Sequence, residues 1–114
     1  MEKNIENNLY LDFYGNLLTK KQREIMTLYY DLDISLSEIA SEVKTSRQAV
    51  YDAIKVSENL MKSFEEKLGL VRRYLENRSL LLKSVEKLEL LSDRFNCEEI
   101  NEIKSNILKV LENQ

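Results

Sequence analysis

Proline is absent from the 114-residue chain, and glycine occurs only twice, as Gly15 and Gly69. Sheet sandwiches and barrels need many tight turns, and these two residue types form most such turns. A chain with so few of them is poorly suited to a fold of many short strands. Apolar residues make up 43% of the composition, which is enough to build a buried core. We therefore expect an all-α protein whose helices are joined by a few short connections.

Several classes of chemistry are disfavoured by the missing residue types. Histidine is absent, which excludes histidine acid–base chemistry and histidine metal ligands. The single cysteine, Cys97, cannot form an internal disulfide or a site with several thiolates. No glycine-rich phosphate loop and no nucleophile elbow is found. We predict a protein that is not an enzyme and that needs no cofactor and no metal.

The ends and the charge of the chain bear on its location and partners. The first ten residues lack the apolar segment of a signal peptide, and no apolar run approaches the roughly 20 residues that cross a bilayer. A lone reduced thiol fits the cytoplasm. The net charge is −3, with 17 basic and 20 acidic residues. We predict a cytoplasmic protein without a membrane span, in which sequence-independent phosphate binding is weak.

Apolar periodicity predicts the first two helices. One helix runs from about Lys3 to Tyr14, and Gly15 is expected to end it in the left-handed cap conformation. Its apolar stripe has i, i+4 spacing and comprises Ile5, Leu9, Phe13 and Leu17, with Tyr10 and Leu11 beside it. A second helix begins at Thr19, where Thr19 and Gln22 have the reciprocal capping pattern. Its apolar face is formed by Ile25, Met26, Leu28 and Tyr29.

The capping pattern then predicts two helices joined by a tight turn. A third helix, from about Leu36 to Val43, follows the cap residue Ser35. The turn is Lys44-Thr45-Ser46, in which Thr45 and Gln48 form a capping pair for a fourth helix that starts at about Ser46. Two helices with such a short connection form a helix-turn-helix unit.

Small and apolar side chains indicate how these two helices pack. Ala40 lies where the third helix crosses the fourth, and its small side chain permits close approach. The fourth helix has no breaker before Gly69. Its expected buried face comprises Ala49, Val50, Ala53 and Ile54, continuing to Leu60, Met61, Phe64 and Leu68.

The outward face of the fourth helix is the candidate binding surface. It carries Ser46, Arg47, Gln48, Tyr51, Asp52 and Lys55. In DNA-binding helix-turn-helix proteins the early residues of this face reach base edges or phosphates in the major groove. The alternative is an ordinary solvated helix face. A small basic cluster, Lys20, Lys21 and Arg23, either adds phosphate contacts or is a simple surface cluster.

After Gly69 the pattern predicts a C-terminal helical extension, so the chain divides into residues 1–69 and 70–114. One helix runs from about Leu70 to Phe95, Asn96-Cys97 interrupts the pattern, and a last helix spans about Glu98 to Leu111. The apolar spacing of three and four suits helix pairing, which favours a homodimer over a folded-back monomer. In this extension a basic and aromatic group either stacks on RNA bases or has its tyrosine in the core: Arg72, Arg73, Tyr74 and Arg78.

Specific segments of the chain resemble a known family. The segments LTKKQREI (Leu18–Ile25), SLSEIA (Ser35–Ala40) and TSRQAV (Thr45–Val50) resemble region four of bacterial sigma factors. Together with the opening LYLDFYGNLLT (Leu9–Thr19), they resemble more specifically the YlxM family of small sigma-region-four-like proteins. The likeness covers about the first 70 residues. Lys44 departs from it, since many helix-turn-helix turns have glycine there.

The resemblance implies a sigma-region-four-like fold and a regulatory role in the signal recognition particle pathway. The implied partners are the RNA or the protein components of that particle, and the implied binding residues are Ser46, Arg47, Gln48, Tyr51 and Lys55. The alternative function is a DNA-binding transcriptional regulator of the sigma-region-four type. The composition and spacing of the residues do not themselves choose between these ligands.

Overall fold

The computed structural model describes residues 5–113 and contains six α-helices. They are α1 (Ile5–Tyr14), α2 (Lys20–Met26), α3 (Leu36–Glu42), α4 (Arg47–Leu68), α5 (Leu70–Phe95) and α6 (Glu98–Glu112). A 3-10 turn, Gly15–Leu17, follows α1, and a π-helical turn, Thr27–Asp31, continues α2. No strand occurs within residues 5–113, and the expected all-α class is confirmed. The predicted start of the first helix at Lys3 lies outside the described residues.

The chain divides into two compact units. The first unit ends at Val71, and the second begins at Arg72, within the first turn of α5. In the first unit α4 is the central helix, because α1, α2 and α3 all contact it. The largest fully buried side chains of this unit are Tyr14, Met26, Ile39, Val50, Ile54, Ser57 and Met61.

The buried face of α1 differs from the predicted stripe. Leu11 and Tyr14 are buried, as is Leu18 beyond the helix, whereas Ile5 is 80% exposed and Leu17 is 57% exposed. An α-helix has 3.6 residues per turn, so each i, i+4 step rotates about 40° past a full turn. Three such steps carry a stripe away from the core. Ile5, Phe13 and Leu17 of the predicted stripe are therefore exposed, whereas Leu9 packs against the core.

The predicted buried face of α4 is correct at its centre and wrong at its edges. Val50, Ile54 and Met61 are fully buried. Ala49 is exposed, and Leu60 and Leu68 are exposed as well. Small and leucine side chains at the border of an apolar helix face cannot be assigned to core or surface without knowing where the neighbouring helices end.

The two glycines have different roles. Gly69 ends α4 with φ of 63°, and its N–H donates to the carbonyl of Glu65 at 2.8 Å. This left-handed geometry suits glycine because it has no Cβ. Gly15 instead begins the 3-10 turn, and Gly69 is the only glycine with positive φ. The expectation of a left-handed cap at Gly15 is therefore wrong, since the chain tightens there and continues to Leu18.

A π-helical turn widens the end of α2. The N–H of Leu32 donates to the carbonyl of Thr27, five residues earlier, at 3.1 Å. Leu28, Tyr29 and Tyr30 are consecutive and all buried. Three successive residues cover about 200° of a regular α-helix, which is more than one buried face. The wider turn brings Tyr30 into the core beside the predicted Leu28 and Tyr29.

The second unit consists of the rest of α5 together with α6. Val85 is its one buried large apolar side chain among residues 72–113. The hydroxyl of Ser92 in α5 donates to Oδ1 of Asn101 in α6 at 2.8 Å. Asn96, between the two helices, has φ of 38°, a conformation that asparagine tolerates better than most residues.

Candidate helix-turn-helix interface

The interface is built on α3 and α4, which contact each other in the first unit. Ile39 and Ala40 of α3 are buried, as are Val50 and Ile54 of α4. The small Ala40 belongs to the same core cluster as the two α4 residues, as expected from the sequence. The helix-turn-helix arrangement is therefore confirmed, and α4 is its second helix.

The turn between the two helices is closed by a left-handed residue. Lys44 has φ of 59°, and the N–H of Thr45 donates to the carbonyl of Ala40 at 2.9 Å. This bond spans the end of α3 in the manner of a Schellman motif, which normally uses glycine at the left-handed position. The turn thus tolerates lysine, at a conformational cost of roughly 1–2 kcal/mol.

The cap of α4 lies one residue later than predicted. The hydroxyl of Ser46 accepts a hydrogen bond from the N–H of Ala49 at 3.0 Å, and α4 begins at Arg47. The capping pair of Thr45 with Gln48 is therefore wrong. A reciprocal pair would need the backbone N–H of Thr45 to donate to Gln48, but this N–H donates to the carbonyl of Ala40 at the end of α3. By contrast, the reciprocal capping of Thr19 and Gln22 is confirmed, with bonds of 3.2 and 3.0 Å.

The outward face of α4 carries the candidate side chains. Arg47, Gln48, Tyr51 and Lys55 are all exposed. Nε2 of Gln48 donates to Oδ1 of Asp52 at 3.0 Å, and Nζ of Lys55 lies 5.7 Å from the centre of the Tyr51 ring. A cation at this distance is attracted by the face of the ring. The face therefore holds an exposed arginine, an amide bound to a carboxylate, and a partly exposed tyrosine with a lysine ammonium near its ring.

The half-buried carboxylate of Glu58 links the outward face of α4 to the core. Glu58 accepts a hydrogen bond from the hydroxyl of Tyr30 and one of 3.4 Å from Nδ2 of Asn7. Its Oε1 lies 3.5 Å from Nζ of Lys55. The pKa of Tyr30 is raised above its ordinary value of 10.0. Burial is the largest cause, and the hydrogen bond to Glu58 is the second.

This network was not foreseen from the sequence. Glu58 points towards Tyr30 rather than adding free negative charge to the outward face. Part of the charge of Lys55 is correspondingly balanced by Glu58. The i, i+3 spacing of Lys55 and Glu58 is a usable sequence signal for their pairing, but the partnership with Tyr30 depends on the π-helical turn.

The predicted basic cluster lies on α2 rather than on the helix-turn-helix itself. Lys20, Lys21 and Arg23 are exposed. Nη1 of Arg23 donates to Oδ1 of Asn16 at 3.0 Å, which ties this arginine to the preceding turn. The structure thus keeps the cluster at the surface, on a different element from Arg47.

The basic and aromatic group of α5 is partly covered. Arg72 and Arg73 are exposed, whereas Tyr74 and Arg78 are half-buried. The sequence left two alternatives for Tyr74, a place in the core or stacking on an RNA base. Its half-buried side chain matches neither alternative fully.

Across residues 5–113, no group of three or more carboxylate or cysteine side chains is placed to hold a metal ion. In the same residues, no helix combines the length and the apolar character that a membrane crossing requires.

Comparison with known proteins agrees with this architecture. Residues 1–103 match the family model described as "Putative helix-turn-helix protein, YlxM / p13 like". A UPF0122 protein of Exiguobacterium sibiricum is 50% identical over 93 residues, covering 82% of this chain and 87% of the relative. UPF0122 proteins of Bacillus cereus strain AH187 and Bacillus anthracis strain A0248 are each 42% identical over 112 residues, covering 98% of this chain and 96% of theirs.

These matches confirm the resemblance to the YlxM family that the four sequence segments indicated. They also extend it, because the likeness covers α5 and part or all of α6 as well as the helix-turn-helix. The chain belongs to the UPF0122 family of YlxM/p13-like helix-turn-helix proteins.

Proposed function

We propose that this protein is a non-catalytic binding protein that regulates the signal recognition particle pathway in the cytoplasm. Its ligand is the particle's RNA or one of the particle's proteins, as the YlxM resemblance implies. The observation that carries the binding role is the exposed polar face of α4, with Arg47, Gln48 and Tyr51 held on a buried helix-turn-helix core.

The chemistry of this face suits contacts to unpaired RNA bases. Tyr51 is 37% exposed, so part of its ring is open to stack on a base. Arg47 lies in the first turn of α4, where a guanidinium can reach phosphates or base edges. Rigid support comes from the buried Val50 and Ile54 on the other side of the same helix.

The charge of the chain indicates that such binding depends on specific contacts. The whole protein carries a net charge of −3. Counterion release by clustered cations, which dominates non-specific nucleic-acid binding, is therefore a small contribution. We expect affinity to depend strongly on Tyr51 and Arg47 and to fall only modestly as salt rises.

Purified particle RNA and the particle's GTPase provide the direct test. The protein should shift the RNA in a gel or change the GTPase rate. Arg47→Ala and Tyr51→Ala should weaken this effect about tenfold or more, while Tyr51→Phe should retain most of it because the ring is kept. Lys67→Ala, an exposed lysine near the other end of α4, is the matched control. The proposal would be contradicted if the protein caused no gel shift of the RNA and no change in the GTPase rate.

A DNA-binding regulator is the second candidate, and the position of Arg47 and Gln48 in the first turn of α4 favours it. Residues at that position read base edges in the major groove. If this function holds, duplex DNA should bind at low salt, and Arg47→Ala should cost about 1–3 kcal/mol for a bidentate base contact. Absence of duplex binding at low salt would dismiss this candidate.

A further inference from the structure

The second unit lacks a core of its own. Within residues 72–113, Val85 is the one buried large apolar side chain, whereas the first unit has a continuous cluster of them. Nine large apolar side chains of the second unit are exposed: Leu75, Leu80, Leu82, Leu90, Leu91, Phe95, Ile103, Leu108 and Val110. Isolated helices of this length are marginal in water, since tertiary packing provides most helix stability.

These exposed side chains continue the faces on which the helices are already partly covered. Leu75 and Leu82 are seven residues apart on α5 and border the side that contains Val85. On α6, Ile103 and Val110 are also seven residues apart and flank Ile107, which is half-buried. Contiguous exposed apolar surface is a feature of protein interaction sites.

The charges of this unit are separated along the sequence. Residues 70–83 contain four basic and one acidic residue, a net charge of +3. Residues 84–113 contain four basic and seven acidic residues, a net charge of −3. Of this charge, residues 84–95 of α5 carry −1 and residues 96–113 carry −2, so the two halves of α5 have opposite net charge.

We propose that a second copy of this chain covers the apolar face, with the two α5 helices antiparallel. A two-fold axis across the middle of α5 brings residues 70–83 of each copy, with net charge +3, against residues 84–95 of the other, which have three acidic and two basic residues. The same axis lets Leu75 and Leu82 of one copy lie against the apolar face of the other. This arrangement specifies the self-association predicted from the sequence and is independent of which ligand binds α4.

A parallel pair is disfavoured on the same grounds. It would place the two segments of charge +3, residues 70–83 of each copy, side by side. Like charges in register on adjacent helices destabilise a pair. The charge pattern therefore selects the orientation, while the apolar side chains provide the driving force.

Sedimentation or light scattering of the full chain tests self-association. The expected mass is twice the chain mass of 13.5 kDa, and Leu75→Ser with Leu82→Ser should raise the dimer dissociation constant at least tenfold. Both leucines are exposed within one copy, so the first unit should remain folded by circular dichroism. Leu80→Ser, on the opposite side of α5, is the matched control. A mass of 13.5 kDa at all concentrations would overturn the proposal.

Charge reversal tests the orientation. Arg78→Glu with Lys83→Glu, and separately Glu86→Lys with Glu89→Lys, should each weaken the antiparallel dimer, and mixing the two variants should restore it. In a parallel pair each variant alone would relieve repulsion, because the net charge of residues 70–83 would change from +3 to −1. Tighter self-association of either variant would thus overturn the antiparallel arrangement.

The single native cysteine gives an independent distance. Cys97 follows the end of α5, a helix of 26 residues and hence about 39 Å long. Spin labels on Cys97 of an antiparallel dimer should lie roughly 40 Å apart, since they mark opposite ends of the paired helices. A separation below about half the length of α5, or rapid formation of an intermolecular disulfide at Cys97, would contradict the proposal.

Failure of the dimer proposal can be distinguished from failure of the proposed binding function. A monomeric chain that still binds particle RNA through Tyr51 would overturn the dimer and leave the proposed function intact. A dimer that binds neither RNA nor GTPase would do the reverse. If Arg78→Glu with Lys83→Glu abolished RNA binding by a monomeric chain, the basic half of α5 would be an RNA surface instead, and the dimer proposal would be overturned.

Discussion

The hydroxyl of Tyr14 at the end of α1 donates a 2.5 Å hydrogen bond to Oε1 of Glu65 near the end of α4. The same hydroxyl accepts a bond of 3.2 Å from the N–H of Leu70, and Glu65 accepts one of 3.0 Å from the N–H of Val71. The first N–H groups of a helix lack intrahelical partners. Tyr14 and Glu65 therefore satisfy the start of α5 directly after the break at Gly69.

Removal of the Tyr14 hydroxyl should destabilise the first unit. Tyr14→Phe keeps the buried ring but leaves the N–H of Leu70 without its acceptor. We expect a loss of about 1–3 kcal/mol in the free energy of unfolding, measured by urea denaturation. Tyr10→Phe is the control, because the Tyr10 hydroxyl donates to Glu6 at the surface. Equal losses in the two variants would contradict this assignment.

Substitution of Lys44 by glycine should stabilise the turn. Lys44 has φ of 59°, where the Cβ of any non-glycine residue is strained. Relief of this strain exceeds the extra chain entropy of glycine in the unfolded state, so Lys44→Gly should raise the free energy of unfolding by about 0.5–1 kcal/mol. Lys44→Ala retains a Cβ and should leave stability nearly unchanged. Thermal unfolding of both variants checks this expectation, which fails if alanine stabilises as much as glycine.

The cap of α4 can be located by two neighbouring substitutions. Ser46→Ala removes the hydroxyl that accepts from the N–H of Ala49, and it should cost about 0.5–2 kcal/mol in chemical denaturation. Thr45→Ala should have little effect, because its side chain does not cap the helix. A larger loss for Thr45→Ala would restore the capping pair expected from the sequence.

Alkaline pH should destabilise the protein through Tyr30. Burial and the hydrogen bond to Glu58 raise the pKa of Tyr30 in the folded state, whereas an unfolded tyrosine keeps its ordinary value of 10.0. Below pH 10 both states hold the proton, so the full stability is present. Above it the unfolded state loses protons first, and stability falls towards the folded pKa. Urea midpoints on either side of pH 10 should show this loss, and Tyr30→Phe should make it smaller. If the urea midpoint of Tyr30→Phe fell with pH as steeply as that of the unaltered protein, Tyr30 would not be the cause of the loss.

Capping residues were the most reliable local signal in this chain. Thr19 with Gln22, and Ser35 before α3, cap the helices as their sequence pattern indicates. A capping side chain acts on N–H groups two or three residues away, so the necessary information is local. The exception is at Thr45 and Ser46, where the end of α3 overlaps the start of α4. There the N–H of Thr45 donates to α3, and Ser46 caps α4 instead.

The outward face of α4 was accessible to the same reasoning, because the buried Val50 and Ile54 determine which residues lie opposite them. What could not be read there is which polar side chains are already engaged. Asp52 binds Gln48, and Lys55 is shared between Glu58 and the Tyr51 ring. These pairings depend on rotamers and on Tyr30, which reaches Glu58 across 28 residues of sequence.

The amino-acid sequence by itself determined the helical class, the helix-turn-helix and the break at Gly69. Each of these depends on backbone preferences and on periodicity within a few residues. Only the tertiary structure decided that α1 buries Leu11 and Tyr14 rather than Ile5, and that Glu65 and Tyr14 cap α5. A helix with apolar residues on more than one side has no preferred face until its neighbours are placed, because burial is a property of the whole packed core.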